Sequence, residues 1–175
     1  MNSVQTPAST LESPTTPIAV VAGPVAIRPA TPDDAAAIFG LVSANLEAGH
    51  LLPRSLDDLV AHAHRFLLVT ARDGVVACGE LAPLSRSVAE IRSLVVDAPS
   101  RGAGLGSRLV DTLKRRARTE GFRTLCAFTH QPRSFVRQGF SIVPHAWLPE
   151  KVAMDCHACA LFRRCGQYAM WFSLS

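Results

Sequence analysis

Residues Arg101 to Ser107, RGAGLGS, set one arginine and three glycines directly in front of an apolar helical pattern. The first backbone N–H groups of a helix lack helical partners, and the helix dipole adds roughly half a positive charge there. Glycines let an anion approach that backbone with no Cβ in the way. Arg101, Gly102, Ala103, Gly104, Leu105, Gly106 and Ser107 are therefore expected to hold a phosphate or pyrophosphate. The pattern is Arg-x-x-Gly-x-Gly. It has no Gly-Lys-Ser/Thr of a P-loop, and the third glycine of a dinucleotide fingerprint would fall on Ser107. A plain glycine-rich turn before a helix is the alternative reading of the loop alone.

A second group with chemical potential lies near the C-terminus. Cys156-x-x-Cys159 is followed by Cys165, with His157 between. Zinc takes four tetrahedral ligands, and three thiolates with one imidazole would supply them. However, His157 adjoins Cys156, and adjacent side chains rarely reach one ion; no second Cys-x-x-Cys is present. Three readings stay open: a metal site, a redox pair at Cys156 and Cys159, and reduced structural cysteines. The last is preferred and a metal is not expected. Cys78 and Cys126 fall in strand patterns and read as core. Five cysteines, an odd number, without a secretory signal argue against a disulfide framework and for a cytoplasmic, reducing location.

The elements that must position these groups can be read from periodicity. VAIRPATPDD reads as a first strand and a helix start, with Thr31 as N-cap, Pro32 at the first helical position and Asp34 reaching back. Ile38, Leu41, Val42 and Leu46 follow helical spacing. Ser55 caps a second helix with Leu56, Leu59, Val60 and Ala63 on one face. FLLVT and VVACGEL flank Asp73-Gly74 as two strands and a tight turn. AEIRSLVV is the strand that feeds the glycine loop. Leu105, Leu109, Leu113 and Ala117 mark the buried stripe of the helix that follows. RTLCAFT, FSIVP and YAMWFSL are further strands, and PRSFVRQ is a short helix stopped by Gly139. The element order is an α/β mixture, in the α+β sense, with an antiparallel start, and not a regular doubly wound array.

A chain of 175 residues, 48% hydrophobic and 18% charged, suits one domain with a substantial core. Residues 1–24 are Ser/Thr/Pro-rich and read as a disordered leader; residues 25–175 form the domain, with the cysteine-bearing segment at 149–166. The leader lacks the basic and apolar regions of a secretory signal, and IAVVAGPVAI is too short to span a membrane. The net charge of +4 suits anionic ligands. Basic residues are dispersed and aromatics few, so nucleic acid is not an expected partner.

Arg-x-x-Gly-x-Gly after an apolar strand, with FVRQGF later, resembles the acetyl-CoA motif and the late Gly-Phe signature of the GNAT acetyltransferases. The resemblance runs from about Val25 to the C-terminus and implies that family's α/β (α+β) fold: a mixed, mostly antiparallel central sheet flanked by helices, with a splayed strand pair holding acetyl-CoA. IRPATPDD, LLPRS, AEIRSLVV, LCAFT, FVRQGF and LPEK also occur in the order found in the acetyltransferase domain of bacterial N-acetylglutamate synthases. No segment resembles the amino-acid-kinase-like domain of the long synthases, so the chain reads as a short, single-domain form. The tail resembles the cysteine-bearing tail of some short enzymes of this kind.

The resemblance implies transfer of an acetyl group from acetyl-CoA to the α-amine of L-glutamate, the first step of arginine synthesis. It implies that the backbone of Leu94, Val95 and Val96 pairs with the pantetheine arm and supplies an oxyanion donor. Glu90 matches the strand glutamate of the synthases. Four residues before Leu94, it is expected on the same strand face, where it could take the amine's proton through water. Glu80 is the reserve. Arg54 matches a family arginine that binds substrate carboxylate; Arg92, two residues from Glu90, is a second candidate, and Thr129 a third substrate contact. Many family members place a tyrosine, as general acid, where this chain has Phe135; its only tyrosine is Tyr168. The alternatives are the same fold acting on another small amine or amino acid, and a non-catalytic acyl-CoA-binding module with the cysteine tail as metal or redox sensor. The expected partners are small molecules, with a homodimer left open.

Overall fold

The computed structural model describes residues 24–46, 51–72 and 74–175. The segment read as a disordered leader, up to residue 23, and Asp73 of the expected tight turn lie outside them. The strands are β1 (Ala26–Pro29), β2 (Phe66–Ala71), β3 (Gly74–Pro83), β4 (Val88–Val96), β5 (Thr124–Thr129), β6 (Ser141–Val143) and β7 (Tyr168–Ser173). They form one sheet in the order β1-β2-β3-β4-β5-β7-β6. Only β4 and β5 run parallel; every other neighbouring pair is antiparallel. This is the mixed, mostly antiparallel α/β architecture expected from the sequence.

The helices follow their local signals. Thr31 donates its backbone N–H to the Asp34 carboxylate at 2.8 Å, which opens the turn leading into α1 (Ala35–Ser43). The Ser55 hydroxyl accepts from the Asp58 N–H at 3.2 Å and caps α2 (Leu56–His62). On α2 the buried residue is Leu59, with Ala63 just beyond. Leu56 and Val60, expected on that same face, are 45% and 44% exposed. A seven-residue helix buries only one narrow stripe, and here Leu59 and Ala63 form it.

Strand alternation divides the core between the two sheet faces. On one face α3 (Leu105–Thr119) sets Leu105, Leu109, Leu113 and Ala117 against Leu67, Ala77, Ile91 and Leu125. Each fully buried leucine there contributes about 1.5–3 kcal/mol. The opposite face carries two separate apolar clusters. One joins α1 and α2 to Phe66, Leu68, Cys78 and Val95; the other joins Leu148 to Val88, Cys126 and Ala169. Charged residues of β3 and β4 occupy the ground between them.

Candidate active site

The site is created by two irregularities in β4. The first is a bulge. Cys78 pairs with Val95 and Glu80 with Arg92, so one residue of β3, Gly79, opposes two of β4, Ser93 and Leu94. Ser93 takes φ 47°, the left-handed region. The bulge reverses the alternation beyond it. Glu90 and Arg92 stay on the face shared with Val95, whereas Leu94 turns to the α3 face, where its Cδ1 approaches Gly79. Glu90 and Leu94 therefore do not share a face, contrary to the expectation from even spacing. A Cβ at residue 79 would lie 3.1 Å from Leu113 and 3.2 Å from Leu94, so glycine is what lets the helix and the bulge meet there.

The second irregularity is a parting of strands. β4 and β5 pair from Val88↔Thr124 to Ile91↔Ala127, and the pairing stops there. A cleft of about 320 Å³ opens at the gap, lined by Leu94, Val96, Ser100, Arg101, Gly102, Gly104, Leu105, Gly106 and Ser107 on one side. Ser134, Arg137 and Gln138 of the α4 region (Arg133–Arg137) line the other. The glycine loop and the Leu94–Val96 backbone thus share one cavity. Gly104 takes φ 75° as the N-cap of α3, which presents the helix N-terminus to the cleft. The Arg101 guanidinium is turned onto the Val96 carbonyl at 3.1 Å and onto Asn45. Gln138 Oε1 is buried with no protein hydrogen-bond partner among the described residues. The cleft therefore joins strand backbone, helix N-terminus and arginine, a donor set suited to an elongated anionic ligand such as acetyl-CoA.

Behind the bulge lies an ion-paired face. Glu80 is 1% exposed and Glu90 3%. The Arg54 guanidinium donates to Glu80 at 2.6 Å, to Asp58 at 2.7 Å and to the Ser93 hydroxyl at 3.3 Å. Arg65 stands 3.9 Å from the other Glu80 oxygen. Arg92 donates to Glu90 at 2.5 Å and also pairs with Asp155. The Lys151 ammonium lies 2.8 Å from Glu90 and 2.8 Å from Asp155. Burial alone would lower the pKa of Arg54, but Glu80 and Asp58 outweigh it and raise it. Arg92 is likewise lowered by burial and raised further by Glu90 and Asp155. Both guanidiniums are thus fixed as cations.

Most of the residues expected from sequence meet here. Arg54 and Arg92 converge with Glu80 and Glu90, and the loop from Arg101 to Ser107 meets Leu94 and Val96. Thr129 stands apart in role: its hydroxyl accepts the Gln131 N–H at 3.0 Å and closes the turn after β5. Phe135 is buried with its ring edge-on to Phe140 at 5.1 Å, a packing role. Sequence reasoning assigned no role to Lys151, Asp155 or Ser93. Lys151 and Asp155 form an i,i+4 acid–base pair, which is a usable signal, but nothing in the linear sequence ties them to Glu90, 61 residues before Lys151. Lys151 ends α5 (Pro149–Lys151), and Asp155 lies in the wider π-helical segment Val152–Cys156 that continues it.

The tail cysteines are unpaired, and burial pushes the Cys156 thiol up. Among the described residues no three His, Cys, Asp or Glu side chains gather as a metal site, so Cys156, Cys159 and Cys165 do not form one as placed. No helix of the described residues is long and apolar enough to cross a membrane.

Comparison with known proteins agrees with this geometry. The acetyltransferase (GNAT) family profile matches residues 37–140. An N-acetyltransferase of Chlorobaculum tepidum, itself uncharacterized, is 28% identical over 144 residues, covering 82% of this chain and 93% of that protein. An amino-acid acetyltransferase of Pseudomonas putida is 32% identical over 117 residues, covering 66% of this chain and 27% of that protein. The chain thus spans about a quarter of the length of the amino-acid acetyltransferases it matches. N-acetylglutamate synthase from Neisseria gonorrhoeae, complexed with coenzyme A and N-acetyl-glutamate, superposes with TM-score 0.78 at 25% identity, over 87% of this chain and 36% of that one. Rv2747 from Mycobacterium tuberculosis, in complex with CoA and NLQ, gives TM-score 0.74 at 25% identity, over 86% of this chain and 99% of that one.

Proposed function

Because the chain belongs to the GNAT acetyltransferase family, we propose that it moves an acetyl group from acetyl-CoA to the α-amine of a free amino acid, L-glutamate or a close relative of it. One observation carries the reading: a single bulge joins the phosphate-suited cleft to a buried, ion-paired face with cations for a carboxylate. With L-glutamate as acceptor, the reaction is the first step of arginine synthesis.

The loop from Arg101 to Ser107 and the N-terminus of α3 hold the pyrophosphate in this proposal. The Leu94–Val96 backbone, freed from β5, pairs with the pantetheine arm. One N–H of that stretch donates to the thioester oxygen as it gains charge. Glu90 takes the amine's proton through water, and its ion pairs with Arg92 and Lys151 compensate the burial of its charge. Arg54 and Arg92 attract the acceptor carboxylate. The amine lone pair attacks the acetyl carbon, the carbon–sulfur bond breaks, and the thiolate leaves. A thiol of pKa about 8.5 needs no side-chain acid to leave, which accords with phenylalanine at position 135.

The test is CoA release from acetyl-CoA with a panel of free amino acids, comparing wild type with Arg54→Ala. The expected result is turnover with an amino acid of the glutamate type, with KM for that acceptor raised at least tenfold in the variant and KM for acetyl-CoA held. Tight acetyl-CoA binding without turnover on any amino acid would replace the enzyme reading with a non-catalytic acyl-CoA-binding module.

A further inference from the structure

We infer that Cys156 and Cys159 are a thiol–disulfide site, reversibly oxidised by an anionic low-molecular-weight disulfide of the glutathione type. The site itself is independent of the acetyl transfer proposed above; its effect on kcat rests on that reading.

Position separates these two cysteines from the other three. They stand at the two ends of one turn, in which the Cys159 N–H donates to the Cys156 carbonyl at 3.0 Å. A turn closed in this way keeps its end Cα atoms within about 7 Å, and a disulfide spans Cα atoms roughly 4.4–6.8 Å apart. The turn is braced from outside. The rings of His157 and Phe162 stack with centroids 6.0 Å apart, and the Phe162 N–H donates to the Cys159 carbonyl at 3.0 Å. Both cysteines are half-buried, whereas Cys78 and Cys126 are 0% exposed and closed to any reagent. Cys165 is exposed but lies outside the turn, beyond the helical turn Phe162–Arg164.

The surrounding charge selects the oxidant. Arg163 and Arg164 are exposed just after the turn, and a small disulfide that carries carboxylates is drawn to such a surface. Burial pushes the Cys156 thiol up, which leaves the opening attack to Cys159. The Cys159 thiolate forms a mixed disulfide and displaces one small thiolate. The Cys156 thiolate then attacks the Cys159 sulfur and displaces the second. Two protein thiols give up two protons and two electrons, and one small disulfide becomes two small thiols. An excess of small thiol drives the same steps backward.

The change reaches the sheet through Asp155. Cys156 ends the π-helical segment, which the His157 N–H closes onto the Val152 carbonyl at 3.2 Å. Asp155, the residue before, stands 2.8 Å from the Lys151 ammonium and also pairs with Arg92. Drawing the Cys156 sulfur onto Cys159 turns the end of that segment and takes Asp155 from both cations. Arg92 and Lys151 then close on Glu90 alone. A carboxylate held by two cations with no competing anion is a weaker base.

The experiment exposes the reduced whole chain to oxidised glutathione, alkylates it in denaturant and maps tryptic peptides by mass. Peptide Val152–Arg163 is expected to be two hydrogens lighter with neither cysteine alkylated, in wild type and in Cys165→Ser, and to revert with dithiothreitol. Cys156→Ser is expected to stop at a mixed disulfide on Cys159. Oxidation is expected to lower kcat for CoA release by about threefold or more in wild type, with KM for acetyl-CoA held, and to leave kcat of Cys156→Ser in place. Thiols that stay reduced, a pairing that includes Cys165, or zinc bound to the purified protein overturns the site. A Cys156–Cys159 disulfide with kcat unchanged overturns its link to Glu90. A protein that forms the disulfide but turns over no amino acid keeps the site and overturns the acetyl-transfer reading.

Discussion

Lys151 places its ammonium 2.8 Å from Oε1 of Glu90, joining the tail of the chain to the middle of β4. The ammonium also stands 5.2 Å from the Phe128 ring centroid, so its burial is compensated twice. Removing the charge leaves Glu90 and Asp155 sharing Arg92 alone. Lys151→Met is expected to cost about 1–3 kcal/mol and to lower kcat while KM for acetyl-CoA holds. Urea unfolding and steady-state CoA release check both parts. A variant as stable and as active as wild type would show that the tail is not a working part of the site.

Gly104 and Gly106 should respond in opposite ways to the same added methyl group. Gly104 takes φ 75°, and a Cβ there meets nothing within 4 Å, so alanine costs backbone strain and not a clash. About 1–2 kcal/mol is expected for that strain, or a Tm lower by roughly 2–8 °C. Gly106 is the second residue of α3, where alanine still favours the helix, by at most about 0.5 kcal/mol, and its nearest neighbour, Val96 Cγ2, is at an ordinary 3.6 Å. Gly106→Ala is expected to raise Tm slightly and yet raise KM for acetyl-CoA, because Gly106 lines the cleft. Calorimetry and acetyl-CoA titration separate the two effects.

One side of the cleft was legible in the sequence because its parts are contiguous: strand, glycine loop and helix stripe follow one another from Leu94 to Ala117; the side lined by Ser134, Arg137 and Gln138 comes from a separate element and was not. The ion-paired face was half legible. Arg54, Glu80, Glu90 and Arg92 stand out as charges beside or within apolar patterns, which is costly unless they meet partners. That Arg54 meets Glu80 was not legible, since 26 residues separate them and the sheet brings them together. Nor was the bulge at Ser93. A two-residue period places Leu94 with Glu90, and one extra residue in the strand reverses it. Leu56 and Val60 were misplaced for a related reason, because a helical stripe was read wider than so short a helix can bury.

The cysteines should divide into two classes under alkylation. Cys78 is fully buried, its thiol donates to the Ser93 carbonyl at 3.4 Å, and burial pushes its pKa up to about 12. Burial pushes the Cys126 thiol up as well. Both stay protonated across the range where iodoacetamide reacts with thiolates. Cys165 is exposed, and Cys156 and Cys159 are half-buried. Mass spectrometry after brief labelling of the native protein should find the tail cysteines modified, and Cys78 and Cys126 modified only after denaturation. Native labelling of Cys78 at a comparable rate would mean that the bulge opens readily.

Arg28 grips the Asp34 carboxylate with two bonds, at 2.7 and 2.8 Å, and holds its pKa far below the usual carboxylate range. The Thr31 N–H and hydroxyl donate to the same group, at 2.8 and 3.1 Å, so it fixes the turn that starts α1. A carboxylate whose pKa is depressed on folding stabilises fully above its unfolded value of about 3.9. That contribution shrinks as pH falls below the unfolded value and is lost once pH passes through the folded one. Asp34→Asn is expected to cost about 1 kcal/mol at neutral pH. The gap between the variant and wild type should be constant from pH 7 to about 5 and should narrow steadily below about pH 4. Urea midpoints measured across that range give the answer directly. A gap that held its size in acid would place the stabilisation in the shape of the turn and not in the charge of Asp34.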